Sequence, residues 1–446
     1  MRLILSAMAA FASFIFLNST AFATTKTDIE KMQAEIIAVQ KAYESRIKAL
    51  ERKLQVIQRD QSKVNTKSSP ATAKKVIKNN SFNPSIGVVF NGKASSFSHS
   101  GEAEIGGFGV AHEGERGREG LALGETELNF SANVDDKFYG AMTAAIVFED
   151  GSDKVELEEA YFQTLPNAGL PSGARITGGK KFWTMGYLNE HHAHADDFAD
   201  RPLPNRIYLN KAFNDEGFEV SYVLPTDKLF VEVGGGLFRG RDFPGGNGSG
   251  SDSYSAFGRI GGDIGSNQSW RVGAYTLQAD VHSRSSNESN VTFAGESDLY
   301  VADLRYTWAP TGNPRSSELI LQGEYFNRKE DGTYNDSEAG TGTIAFDDDS
   351  TGFYAQGVYK FNPSWRAGVR YSKMFPAEAP SGLSGSALDA SGHDPVALSF
   401  MTDWTNSEFG RVRAQYNKEE LSNGQHDSQF MLQYIFSIGA HGAHAY

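Results

Sequence analysis

Sixteen stretches of this chain alternate residue by residue between apolar and polar or small side chains, the period of extended strands whose successive residues face opposite sides of a sheet. They fall near 84–97, 119–134, 137–149, 154–165, 173–184, 212–224, 228–239, 254–265, 268–281, 296–309, 316–329, 351–361, 364–375, 394–404, 407–418 and 427–438. In the second, Leu128, Phe130, Ala132 and Val134 share one face while Glu125, Glu127, Asn129 and Ser131 share the other. After Lys228 the apolar set is Leu229, Val231, Val233 and Leu237. Near the end, Trp365, Ala367, Val369 and Tyr371 oppose Arg366, Gly368, Arg370 and Ser372, and Phe430, Leu432, Tyr434 and Phe436 line one side of the last stretch.

The links between these strands also alternate. After each even strand the link is turn-like, as at Asp135-Asp136, Pro225-Thr226-Asp227, Gly265-Ser266-Asn267, 310–315 and Asn362-Pro363-Ser364. After most odd strands it is longer and rich in Gly, Asp and Ser. An even number of strands with short turns at one end and long loops at the other predicts an all-β transmembrane barrel of about 16 antiparallel strands over 81–446. A soluble sandwich or solenoid would show the alternation, but it needs neither the loop asymmetry nor the leader described next.

Residues 1–23 read as a secretory signal, with Arg2, a short apolar core from Leu3 to Leu17, and Ala21-Phe22-Ala23 as cleavage site. From Thr27 a capping box with Glu30 opens a helix whose apolar residues, Ile29, Met32, Ile36, Val39, Tyr43, Ile47, Leu50, Leu54 and Ile57, step by three and four. Residues 24–61 are therefore expected to form a periplasmic α-helical coiled coil that joins copies of the chain, three in a trimer, with 62–80 as a flexible linker. A lone amphipathic surface helix is the alternative. Residues 24–80 carry 13 Lys and Arg against 6 Asp and Glu, whereas 81–446 carry 28 against 49, so a basic arm precedes an acidic body. No cysteine is present, so disulfides contribute nothing. The expected partners are outer-membrane lipid and a small solute or metal ion, with no nucleic acid.

The densest cluster of chemistry is YLNEHHAHADDFAD, from Tyr187 to Asp200. It places Glu190, His191, His192, His194, Asp196, Asp197 and Asp200 on the third long loop, 185–211. Imidazole with carboxylate is a usual ligand set for zinc and related ions, so Glu190, His191, His192, His194, Asp196 and Asp197 are candidate metal ligands. The same residues could instead pin the loop through His–Asp hydrogen bonds and ion pairs with Arg201, Arg206 or Lys211. Both readings stand on the sequence. Inward faces of two late strands offer Arg366, Arg370, Arg411 and Arg413 as pore-lining residues, or as partners of acids such as Asp403 and Glu324. His441 and His444 form a second, terminal pair. The acids Asp331, Asp336, Glu338 and Asp347-Asp348-Asp349 lack calcium-loop spacing and read as a solvated face, and the first loop, with His99 and His112, adds to an acidic mouth.

The runs ELEEAYFQTLP, GARITGGKKFWTMGYLNEHHAHADDFADRPL and FNDEGFEVSYVLPTDKLFVEVGGGLFRGRDFP resemble Gram-negative outer-membrane proteins of a porin-like family related to the phosphate-selective porins O and P, whose members are often called zinc-regulated outer-membrane receptors. The resemblance is strongest over residues 155–245. It rests on Gly186, Tyr187, Asn189, His192, His194, Asp197 and Phe198; Asp196 departs from it, standing where the familiar member has Trp. It implies an outer-membrane location and transition-metal traffic. In general porins the third loop folds into the barrel and narrows the channel, and if this loop does the same its histidines and acids line a constriction. The expected function is thus a porin-like channel for small solutes, metal cations such as zinc or small chelates, with at most transient zinc and no required cofactor. The alternatives are a plugless siderophore porin and an anion-selective, phosphate-type porin. No serine nucleophile motif accompanies the histidines, and the chain is not expected to be an enzyme.

Overall fold

The computed structural model describes residues 84–99, 104–149, 152–407 and 409–439. The expected signal (1–23), coiled coil (24–61) and linker (62–80), and the terminal His441 and His444, lie outside the described residues.

The strands are β1 (Ser85–Phe97), β2 (Gly120–Leu123), β3 (Thr126–Asn133), β4 (Phe138–Glu149), β5 (Ser152–Thr164), β6 (Ala174–Phe182), β7 (Asn214–Val223), β8 (Phe230–Phe238), β9 (Ser253–Ile264), β10 (Gln268–Ser286), β11 (Val291–Trp308), β12 (Glu318–Asp336), β13 (Thr343–Asn362), β14 (Trp365–Phe375), β15 (Val396–Ser407), β16 (Gly410–Ser422) and β17 (Gln425–Gly439). Both β2 and β3 pair with β1, at Leu123 opposite Gly92 and Glu127 opposite Val89, so they are two pieces of one stave. Gly124 N bonds Asn91 O at 2.6 Å across the break. Sixteen staves result, each antiparallel to its neighbour, and β1 pairs with β17 from Gly87–Gly439 to Phe97–Gln429 to close the barrel. Closure leaves no strand edge, the condition for a sheet to cross hydrocarbon.

Alternation sorts the side chains. On β17, Phe430, Leu432, Tyr434, Phe436 and Ile438 are exposed, whereas Gln429, Met431, Gln433 and Ile435 are buried. The outer wall is a belt of exposed Leu, Val, Ile and aromatic residues around a polar interior. Lipid is the environment that suits such a wall, and moving one such side chain from water into hydrocarbon contributes about 1.5–3 kcal/mol.

Strands β10 to β13 run beyond the expected ends, to Ser286, Val291, Asp336 and Thr343. The 20 residues of β13 span about 66 Å at about 3.3 Å each, whereas about 9–11 residues suffice for a membrane stave. The acids expected on a solvated loop therefore sit largely in paired strands, with Asp331 opposite Asp347.

At the long-loop end, the loop after β1 crosses toward β10 and β11: Val110 N donates to Asn287 Oδ1 (2.9 Å) and Asn287 N to Val110 O (2.8 Å). Its Phe108 packs edge-on against Tyr208 at 6.1 Å. Tyr208 belongs to the loop between β6 and β7, and that loop supplies much of an apolar core lying inside the barrel.

Candidate functional site

Residues 183–213 leave β6, fold inward and return to β7. They contain single turns at Leu188–Glu190 and Ala193–Ala195 and one short helix, α1 (Leu203–Leu209), every residue of which is buried. Pro202, at the position before α1, opens the helix, and Asn210 at φ 48° ends it. Trp183, Met185, Leu188, Leu203, Ile207 and Phe213 pack against inward residues of the wall such as Phe238, Leu299 and Phe326. The loop's two ends are tied by Asn189, whose Nδ2 donates to Trp183 O (2.7 Å) and Phe213 O (3.1 Å) and whose Oδ1 accepts from Phe213 N (2.5 Å). Gly186 has φ +77°, and a Cβ there would come within 2.6 Å of Glu324 Oε1. That oxygen accepts the amides of Tyr187 and Leu188, so only glycine fits.

From this base the loop reaches the wall in several sectors. Toward β14 to β16, Asp197 Oδ1 meets Arg366 Nη1 at 2.7 Å, and Arg366 also holds Asp403 at 2.5 Å. Asp200 Oδ1 meets Arg370 Nη2 at 2.6 Å and accepts from Gln415 at 2.5 Å, while its Oδ2 accepts from Asn417 at 2.9 Å. Arg413 Nη2 and Arg411 Nη1 donate to Asp196 O at 2.6 and 3.4 Å. Burial opposes the charge of Asp197 and Asp200, but the Arg366 and Arg370 guanidinium groups outweigh it and hold both carboxyls below the usual range.

Toward β9, Glu190 pairs with Arg259 at 2.5 Å. Within the loop, Asp196 pairs with Arg201 at 2.6 Å, and Arg201 donates to Leu188 O and His191 O. Arg206 reaches Glu419 at 3.3 Å and Gly114 O at 2.8 Å. His191 stacks on Tyr187 with ring centroids 4.6 Å apart and donates from Nδ1 to Tyr187 O. Burial pushes its imidazole down to about 4. Arg271 and Arg305 lie over the same tyrosine ring, at 4.8 and 4.4 Å.

Toward β3 and β5 the loop presents two stacked imidazoles, His192 and His194, with centroids 5.7 Å apart. His192 Nε2 lies 3.0 Å from Glu159 Oε2, and its Nδ1 lies 3.2 Å from Glu127 Oε2 and 3.4 Å from Glu158 Oε2. His194 Nδ1 lies 2.6 Å from Glu127 Oε1. Burial lowers the tendency of His192 to charge, but Glu127 and then the β5 carboxylates prevail and hold its pKa well above the usual value. Two adjacent glutamates point inward because β5 is bulged. Thr143 pairs with Glu159 and Ala144 with Leu157, so Glu158 has no partner across the ladder. Val155 and Leu157 face out before the bulge and Phe162 after it, a switch of parity that turns Glu158 and Glu159 to one side.

The six loop residues expected to share a metal are thus not one set. Glu190 goes to β9, His191 to Tyr187, Asp196 to Arg201 and Asp197 to Arg366, and only His192 and His194 stay together. Of the pinning contacts expected, the ion pair with Arg201 forms, to Asp196; Arg206 reaches Glu419 of the wall instead of the cluster, and His192 and His194 meet Glu127 and Glu159 rather than aspartates. Arg366, Arg370, Arg411 and Arg413 all face the barrel interior, where they hold the loop, and Arg366 also takes Asp403. Glu324, the other acid weighed as an arginine partner, caps loop amides instead. The wall carboxylates Glu127, Glu158 and Glu159 were missed as site residues. Glu127 was recoverable, since alternation puts it on the polar face of its strand; the β5 pair was hidden by the bulge.

No family model matches the chain. A protein of Aquifex aeolicus described as uncharacterized is 28% identical over 397 residues, covering 82% of this chain and 80% of its own length. Among solved structures, Salmonella typhi OmpF in complex with daunomycin superposes with a TM-score of 0.51 at 10% identity, covering 80% of this chain and 97% of that one. The anion-selective porin from Comamonas acidovorans gives 0.49 at 9% identity, covering 80% and 99%. The outer membrane channel DcaP of Acinetobacter baumannii gives 0.49 at 11%, covering 80% and 97%. The fold is that of an outer-membrane porin barrel.

Proposed function

We propose that the protein is a porin-type channel of a Gram-negative outer membrane, passing small hydrophilic solutes through an interior narrowed by residues 183–213, and that metal cations or small metal chelates are among those solutes. The observation that carries this reading is the loop itself, held inside a closed, lipid-suited barrel by ion pairs on several sides. Charged groups gathered at a narrowing set which ions pass.

Cations are favoured by the entrance. A cleft of about 350 Å³ at the long-loop end is lined by Glu104, Glu115, Glu119, Glu288 and Glu338 with Arg116 and Arg118. Such an excess of acid concentrates cations before they enter. Deeper in, His192, His194 and the glutamates of β3 and β5 offer donors suited to transition metals. A second reading, anion passage, draws on the opposite wall: Arg271 and Arg305 stand directly opposite one another on β10 and β11, and Lys360 and Arg366 on β13 and β14. Arg271 and Arg366 are neutralised by Asp303 and by Asp197 with Asp403, which leaves the acidic entrance as the stronger filter.

The heptad stripe of 24–61 would join copies of the chain on the periplasmic side, as a trimer. Reversal potentials across a planar bilayer under a salt gradient test the selectivity. The proposal expects cation preference that weakens when Glu104, Glu115 and Glu119 are changed to Gln. Anion preference in the wild type would replace it with the second reading.

A further inference from the structure

We infer that Glu127, Glu158 and His192 form a binding site for a divalent first-row transition-metal ion, shared between the barrel wall and the inward loop. The site deepens the channel reading, on which any part it has in permeation rests.

One ligand atom from each residue lies within 4.8 Å of the others. Two of the separations carry more information. His192 Nδ1 is 3.2 Å from Glu127 Oε2 and 3.4 Å from Glu158 Oε2. A tetrahedral ion at about 2.0–2.2 Å from nitrogen and oxygen donors holds those donors about 3.3–3.6 Å apart along its edges. The two separations are close to those edges, so one nitrogen and two carboxylate oxygens already stand at the spacing that a small ion would draw together.

The supporting contacts fit the same purpose. Glu159 Oε2 faces His192 Nε2 at 3.0 Å, so a neutral ring that donates there presents its Nδ1 lone pair to the two ligand oxygens. His194 Nδ1 faces the other oxygen of Glu127 at 2.6 Å and turns Oε2 toward the site. A carboxylate behind a ligating histidine, and a donor behind a ligating carboxylate, are the outer partners that orient metal ligands. Imidazole with two carboxylates favours zinc, cobalt, nickel or copper over calcium or magnesium, which take oxygen donors alone. Backbone conformation places the pair on β5, because without the bulge Glu158 and Glu159 would face opposite sides. A bound ion would then tie strands β3 and β5 to the loop through three residues far apart in sequence.

The test is titration of untagged, folded, chelator-stripped protein with Co(II), read by its visible ligand-field spectrum, followed by displacement with Zn(II). One equivalent with a tetrahedral spectrum is expected. Glu127→Gln and Glu158→Gln should each weaken binding at least tenfold, whereas Asp347→Asn, at an exposed carboxylate of β13 that does not touch the loop, should not. Glu158→His keeps a donor in place and should retain binding with a spectrum altered toward nitrogen ligation, which separates loss of a ligand from loss of the fold. Binding that is absent in the wild type, or indifferent to both Glu→Gln changes, overturns the site and identifies the cluster as a proton-bridged anchor. Bilayer recordings on the same samples keep the two readings apart. Conductance without metal binding defeats the site alone, and metal binding without conductance defeats the channel alone.

Discussion

At the scale of single residues, the loop is fixed by charges that have left water, and their partners make their removal costly. Arg366 bridges Asp197 and Asp403. Its replacement by Ala leaves Asp197 without an ion-pair partner and Asp403 with Arg413 alone, 3.8 Å away, and should cost about 3–5 kcal/mol, measurable as a lowered unfolding midpoint in detergent. Arg366→Ala with Asp197→Asn should recover part of that loss. The same pairs fix an acid response. Asp197 and Asp200 have depressed pKa values in the folded protein, so their contribution is complete above the unfolded value of about 3.9 and is lost as pH falls through the depressed values. The share of loop order that these two pairs supply, read as open-channel current noise or as proteolysis within 183–213, should therefore be lost as pH falls below about 4. Arg370→Gln should move that onset to higher pH. Much of this arginine wall was legible in the sequence, because Arg366 and Arg370 alternate with Ala367, Val369 and Tyr371 and must face inward if those face lipid. Glu158 and Glu159 were not legible as a pair, since strict alternation assigns adjacent residues to opposite faces and a bulge leaves no mark in composition.

At the scale of elements, the loop is a folded unit with its own base. Gly186 and Asn189 set that base, one by a backbone conformation closed to other residues and one by three hydrogen bonds across the neck. Gly186→Ala should release the loop from Glu324 and change the conductance pattern while leaving the barrel's strand signal by circular dichroism unchanged. Asn189→Ala should act the same way and more weakly. The staves themselves were readable, because each is long enough for alternation to repeat three or four times. Their upper ends were not. The extensions of β10 to β13 carry Gly332, Asp331 and Asp347, residues that read as loop, and pairing with a neighbouring strand rather than propensity keeps them extended. The inward course of the loop was expected from the habit of porins, but its packing was hidden, since its apolar residues, Trp183, Met185 and Ile207, are buried against wall residues such as Leu299 and Phe326 that are distant in sequence.

At the scale of the whole molecule, an apolar exterior, a charged interior and a folded-in loop make one object whose parts explain each other. The barrel closes so that its backbone can sit in lipid, and on the channel reading proposed above the polar interior admits water and solutes while the inward loop narrows their path. The measurement that tests this most directly is single-channel conductance of the refolded protein in a planar bilayer, compared with a variant in which residues 190–209 are replaced by a short glycine–serine link. The account predicts stepwise openings in the wild type and steps several-fold larger in the variant, since the loop fills the interior. A wild type that never conducts, together with a loop-shortened barrel that stays closed although correctly folded, would contradict it.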